Sequence, residues 1–193
     1  MSTLAKKEKP LRVLAIDTSS NPGYALYEVT DGTPTLIAVD SVKTSTDYSD
    51  SERYAIVEAK TIHIIYEWGP FDHVCREHFT KGGSKRGTQL VFGAWAAVDV
   101  ALGRFGYAIP SQSGSTFEVT NSRVKSLVGD AGAAKKDKVE LGIRKILGLP
   151  DSFVFANDDE SDAAAIGYTF LYDKGLIHRG VGKNAKAGEH KAD

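Results

Sequence analysis

A single cysteine, Cys75, is the only thiol in the sequence, so no disulfide can form within the chain and a reducing, cytoplasmic setting is expected. No apolar run approaches bilayer length, which argues against a membrane span. Met1 to Pro10 is polar and lysine-containing, without the hydrophobic centre of a secretory signal. The formal net charge is only −1, so the total does not advertise a polyanionic partner. Internal repeats are missing, and so is a phosphate loop: Gly82-Gly83-Ser84-Lys85 comes nearest and fails the G-x-x-x-x-G-K-[ST] spacing. His73 and His78 flank Glu77 with neither H-E-x-x-H nor zinc-ligand spacing. Structural roles are expected for both, with proton transfer as an alternative. Cys75 has no partner for a nucleophilic dyad and, like Trp68 and Trp95, is expected in the core.

What is present fits one α/β domain. The 193 residues suffice for a substantial core. Leu11 to Ile16 is an unbroken apolar run that reads as a strand buried on both faces and ends at Asp17. Tyr24 to Val29 and Thr35 to Val39 read as two more strands, joined by Thr30-Asp31-Gly32-Thr33, a hairpin signal. A helix is expected over Ser51 to Trp68, stopped by Gly69-Pro70, and then a strand over Phe71 to Glu77. Phe79 to Thr88 reads as a glycine- and lysine-rich loop, and Gln89 to Leu102 as a helix rich in small residues. Tyr107 to Pro110 and Thr116 to Val119 read as strand pieces; helices are expected over 122–128, 135–147 and 159–172. The expected organisation is a flexible tail over 1–10, a domain over 11–175 and a disordered polar tail over 176–193. A meander followed by alternating strands and helices implies a mixed sheet with helices on both faces.

Four acids stand where such sheets carry function. Asp17 and Glu77 end two apolar strands, and Asp159 and Asp162 lie three apart at a helix start, on one side of its first turn. Acidic residues at a helix N-terminus also serve as caps, and Asp158 and Glu160 compete with this pair for any ligand role. Convergence of four carboxylates offers hard oxygen ligands for Mg2+ or Mn2+. Two such ions can drive phosphodiester hydrolysis. The charge is also unevenly spread. Arg123, Lys125, Lys135, Lys136, Lys138, Arg144 and Lys145 face only three acids in the same stretch, and Lys81, Lys85 and Arg86 form a second basic group. Basic patches beside an acidic centre suit nucleic acid.

With those residues in place, the chain resembles the RuvC family of Holliday junction resolvases, within the ribonuclease H-like superfamily. The resemblance rests on Leu14-Ala15-Ile16-Asp17 with Gly23-Tyr24, on Glu77 at a strand end, on Phe117-Glu118 with Arg123-Val124-Lys125, on Leu127-Val128-Gly129 with Ala134-Lys135-Lys136, and on Asp159-x-x-Asp162-Ala163. It runs from about Leu11 to about Tyr172. It implies a ribonuclease H-like five-stranded sheet and a metal-dependent, structure-selective endonuclease that resolves four-way DNA junctions by paired symmetric nicks. Asp17, Glu77, Asp159 and Asp162 would hold two Mg2+ or Mn2+ ions, with Lys136 or Lys125 stabilising charge on the phosphate. Phe79, Lys81, Lys85, Arg86, Arg123, Lys125, Lys135 and Lys136 would contact DNA. Phe79 lies two residues after Glu77, where the family's stacking aromatic lies three after. The family also implies a homodimer, to which the helix over 89–102 contributes, acting in the cytoplasm of a bacterium or a phage-infected host; the divergence suits a phage or viral member. Two other readings stay open. Leu14 to Ser19 also looks like the first motif of the actin-like and sugar-kinase fold, and a resolvase-like module could grip junctions without cutting them.

Overall fold

A computed structural model describes residues 9–79, 83–109, 117–129 and 136–178. Three strands open the fold: β1 (Leu11–Asp17), β2 (Gly23–Thr30) and β3 (Thr33–Ser41) form an antiparallel meander. Between β2 and β3, Asp31 and Gly32 both adopt positive φ (51° and 70°), the two-residue turn whose twist matches a hairpin. Helix α1 (Asp50–Trp68) begins at a capping box: the Glu52 N–H donates to Ser49 Oγ and the Ser49 N–H donates to Glu52 Oε2. Then come β4 (His73–His78), α2 (Lys85–Arg104), β5 (Glu118–Thr120), α3 (Asn121–Leu127), α4 (Lys136–Leu147) and α5 (Asp158–Asp173).

The strands form one mixed sheet in the order β3-β2-β1-β4-β5, with β4 and β5 parallel to β1. β1 lies at its centre, which explains why its sequence is apolar on both faces. Leu14, Ile16, Tyr24 and Leu26 pack under α1 and α2, against Val57, Ile64, Ala94 and Val98. Val13, Ala15, Ala25 and Tyr27 pack on the opposite side, against Ala163, Ala164, Tyr168 and Phe170 of α5, with Val124, Val139 and Ile143 of α3 and α4 beyond. The expected five-stranded sheet with helices on both faces is what the chain forms.

Three expectations change. Helix α2 starts at Lys85, four residues earlier than the periodicity predicts, because Ser84 caps it by accepting the Gly87 N–H at 3.0 Å. Lys85 and Arg86 therefore sit on a helix turn and not on a loop. Residues 107–109 form no strand. Ile177 stays packed at 3% exposure, two residues beyond the expected domain edge, while the expected tails over 1–8 and 179–193 lie outside the described residues. Among the described residues, no helix is long and apolar enough to cross a membrane.

Candidate active site

Strand parity sends two of the acids to the same side. Along β1, Val13 and Ala15 enter the α5 cluster and Leu14 and Ile16 the α1–α2 cluster. Asp17 continues the first series. Along β4, Cys75 belongs to the α5 cluster and Val74 to the other, so Glu77 shares the Asp17 side and Arg76 does not. The parallel register pairs Ala15 with Cys75 and Ile16 with Arg76, which brings Asp17 level with Glu77 at the carboxyl ends of neighbouring strands.

Helix α5 supplies the other pair. Asn157 caps it, accepting the Glu160 N–H at 3.2 Å, and its small residues Ala163, Ala164 and Gly167 let it lie close against the sheet. Gly23 permits the same approach at the first turn: a Cβ there would stand 2.0 Å from the Asp159 carbonyl oxygen. The Ser19 hydroxyl donates to Asp159 Oδ1 at 3.4 Å, across from the turn that follows Asp17. Glu160 is excluded from a ligand role by its own partners. Buried at 6% exposure, it accepts the Ser41 hydroxyl at 3.1 Å and the Ala156 N–H at 2.8 Å. Asp158 is exposed.

These contacts leave Glu77, Asp159 and Asp162 grouped near Asp17, which is 5% exposed. Burial, then the neighbouring charges of Glu77, Asp162 and Asp159, and a hydrogen bond shared with Glu77, hold the Asp17 carboxyl well above the usual carboxylate range. Such a group strongly favours a proton or a cation in its midst. Among the described residues, no three metal-ligating side chains stand close enough together to form a finished cation cage. The acids are gathered at electrostatic range, and coordination requires side-chain adjustment. The donor set nonetheless fits a hard divalent ion, because every oxygen is a carboxylate and the central one is buried beside three like charges.

Beside this group is a cavity of about 40 Å³, room for a water-sized group, lined by Glu77, Asn121, Val124, Lys125, Val139, Asp162 and Ile166. Lys125 thus stands with the acids. Asn121 was not singled out from the sequence, yet its Nδ2–H donates to Glu77 Oε1 at 2.7 Å. Its only sequence signal is a polar residue opening a helix straight after a short strand. Of the other expected DNA contacts, Phe79 packs against Phe92 and Trp95, with ring centroids 4.9 and 6.0 Å away. Lys85 is exposed, and Arg86 is engaged with Asp50 at the start of α1, 2.6 Å from Oδ2. Arg123 is not brought to the acids: its Nε donates to Asp173 at 3.1 Å, tying α3 to the far end of α5. Lys81 and Lys135, and the Lys136 side chain, lie outside what is described.

Comparison with known proteins points to one family. The family model described as crossover junction endodeoxyribonuclease RuvC matches residues 13–170. The enzyme of that name from Rickettsia massiliae is 28% identical over 163 residues, covering 84% of this chain and 98% of the relative. Its counterpart from Prochlorococcus marinus is 28% identical over 166 residues, covering 86% and 98%. In three dimensions the chain is similar to T. thermophilus RuvC in complex with a Holliday junction substrate, with a TM-score of 0.69 at 24% identity, covering 88% of this chain and 99% of that one. It is also similar to Ydc2, the yeast mitochondrial Holliday junction resolvase, with a TM-score of 0.58 at 12% identity, covering 86% and 80%. At these identities the two structures establish a shared fold.

Proposed function

Because this chain belongs to the RuvC family of crossover junction endodeoxyribonucleases, we propose that it is a Holliday junction resolvase that nicks two opposing strands of a four-way DNA junction in a divalent-metal-dependent reaction. The observation that carries this reading is the buried Asp17 carboxyl with the carboxylates of Glu77 from β4 and of Asp159 and Asp162 from α5 gathered near it. Asp17, Glu77, Asp159 and Asp162 would hold one or two Mg2+ or Mn2+ ions. When bound, these ions supply Lewis-acid activation of water and neutralise charge at the scissile phosphate.

The chain's own groups account for the rest. Asn121 orients Glu77 through Oε1, and Ser19 steadies Asp159. Lys125, lining the cavity beside Glu77 and Asp162, would meet a phosphate oxygen. Outside the site, α2 presents Phe92, Ala96 and Val100 to solvent at a four-residue spacing, with Phe92 and Val100 each 49% exposed. That stripe, flanked by the exposed Tyr66 and Phe105 rings, supports a homodimer through α2, which sets two active sites against two strands. The proposed setting is the bacterial or phage-infected cytoplasm, where branched DNA arises.

The test is incubation with an end-labelled synthetic four-way junction and with a linear duplex of the same sequence, in Mg2+, in Mn2+ and in EDTA. Paired symmetric nicks on the junction alone, dependent on metal, are expected. Equal cutting of the linear duplex would refute structure selectivity, and tight junction binding in a parallel gel shift without any nick would leave a binding module.

A further inference from the structure

Arg76 precedes Glu77 on β4 and points away from the acids, yet it heads the fully buried side chains by volume. A buried guanidinium is costly unless its donors are all matched. Here Nη2 lies 2.9 Å from Glu118 Oε1 and Nε donates to the same oxygen at 3.0 Å, while Nη1 donates to Asp99 Oδ1 at 2.7 Å. The indole ring of Trp95 covers the guanidinium at 4.2 Å from its centroid. An apolar side chain of the same volume would join sheet to helix at lower cost. What the charge adds is orientation: two carboxylates from β5 and α2 fix the guanidinium plane, and the plane fixes the ring.

The ring in turn reaches the first acid. Trp95 Nε1–H donates to the carbonyl oxygen of Thr18 at 3.2 Å, and Thr18 directly follows Asp17. The Thr18 hydroxyl donates to the Glu77 carbonyl at 3.3 Å. A closed circuit therefore runs from Arg76 through Trp95 and Thr18 to Glu77, the neighbour of Arg76. It encloses the ends of both strands that carry acids. Phe79 and Phe92 pack on the same indole and brace it from outside.

We propose that Arg76 and Trp95 are positioning residues of the nuclease centre. Arg76 holds the Trp95 ring, and the indole N–H holds the Asp17–Thr18 segment beside Glu77, so that helix α2 sets the spacing of the two strand-borne acids. This rests on the nuclease reading above. Neither residue touches substrate; both act on the metal site through the backbone that bears its ligands, a kind of support whose loss costs roughly 10- to 100-fold in metal affinity or activity.

Trp95→Phe is the informative variant, since it keeps an aromatic ring beside Arg76 and removes the indole N–H together with one ring of the bicycle. Mn2+ affinity by titration calorimetry, single-turnover nicking of a four-way junction, and junction affinity in EDTA are measured well below the melting temperature. The expected result is Mn2+ affinity and nicking rate both reduced by about 10-fold, with junction affinity unchanged. Arg76→Lys is expected to move the same two quantities further. If that variant does not fold, Asp99→Asn, which removes one charge partner at the half-exposed edge, is expected to shift them in the same direction. Wild-type Mn2+ affinity and nicking rate in Trp95→Phe would overturn the positioning role and leave the nuclease reading standing. A wild-type protein that neither binds Mn2+ nor nicks would overturn both.

Discussion

Gly23 lies under the first turn of α5, and adding one methyl group there tests whether the approach of that helix sets the active site. A Cβ at Gly23 would stand 2.0 Å from the Asp159 carbonyl oxygen and 2.4 Å from its carbon, where real Cβ contacts stay above 3.0 Å. Both atoms are backbone, so the strain cannot be absorbed by a rotamer change. The β2 end and the α5 start must part by about 1 Å, a displacement that can cost roughly 10²-fold in rate when it falls on reacting groups. Overpacking of this kind destabilises by about 1–3 kcal/mol. Asp159 and Asp162 move with that turn relative to Asp17, which is paired with Gly23 in the sheet, and to Glu77 on the neighbouring strand. Gly23→Ala is therefore expected to lower single-turnover nicking of a four-way junction by about 100-fold while the protein remains folded. Gly103→Ala is the matched control: nothing lies within 4 Å of a Cβ at that helical position, and it should stabilise by about 0.5–1 kcal/mol without slowing the reaction. Circular dichroism melts accompany each rate. A Gly23→Ala protein that nicks at the wild-type rate would refute the argument, as would a loss fully explained by its unfolded fraction.

The raised pKa of Asp17 has a definite sign. Stability from this carboxyl is present when it is protonated and is lost as pH rises from about 4, the ordinary carboxyl range, through its higher native value. Metal-free Asp17→Asn should thus melt higher than wild type at neutral pH, lose that pH slope in EDTA melts, gain nothing from added Mg2+ and fail to nick. A Mg2+-dependent rise in melting temperature equal to wild type would contradict it. Asn121→Ala frees Glu77 Oε1 and is expected to weaken Mn2+ binding and nicking by about 10-fold or more, read by calorimetry and by rate; unchanged Mn2+ affinity would remove Asn121 from the site. Lys125→Ala should weaken junction binding and reduce the slope of log affinity against log salt by about 1, the loss of one phosphate contact; an unaltered slope in gel-shift titrations would exclude that contact.

The parts of the site legible in sequence are those set by local pattern. The apolar run ending at Asp17 and the acidic first turn before Ala163 both occupy the elements expected of them. The meander follows from Asp31-Gly32, whose positive φ angles suit the two-residue turn. Less legible were features whose partners are distant in the chain. Arg76 reads as an ordinary strand residue until Asp99 and Glu118, 23 and 42 positions away, close around it. Asn121 becomes a site residue only because β5 lies beside β4, which places it 44 positions from Glu77 but within hydrogen-bond reach. The start of α2 was hidden by glycine: Gly83 and Gly87 suggested a loop, while the Ser84 cap outweighs them. The Arg123–Asp173 pair joins α3 to α5 across 50 positions, another contact that no local pattern announces.

The central claim is that acids from β1, β4 and α5 form one metal-dependent centre. Its most direct test is anomalous scattering from a crystal of the protein soaked in Mn2+. The account predicts a peak, or a close pair, within about 2.3 Å of carboxylate oxygens from Asp17 and from at least one of Glu77, Asp159 and Asp162. Mn2+ bound elsewhere with these four carboxylates unengaged would contradict it.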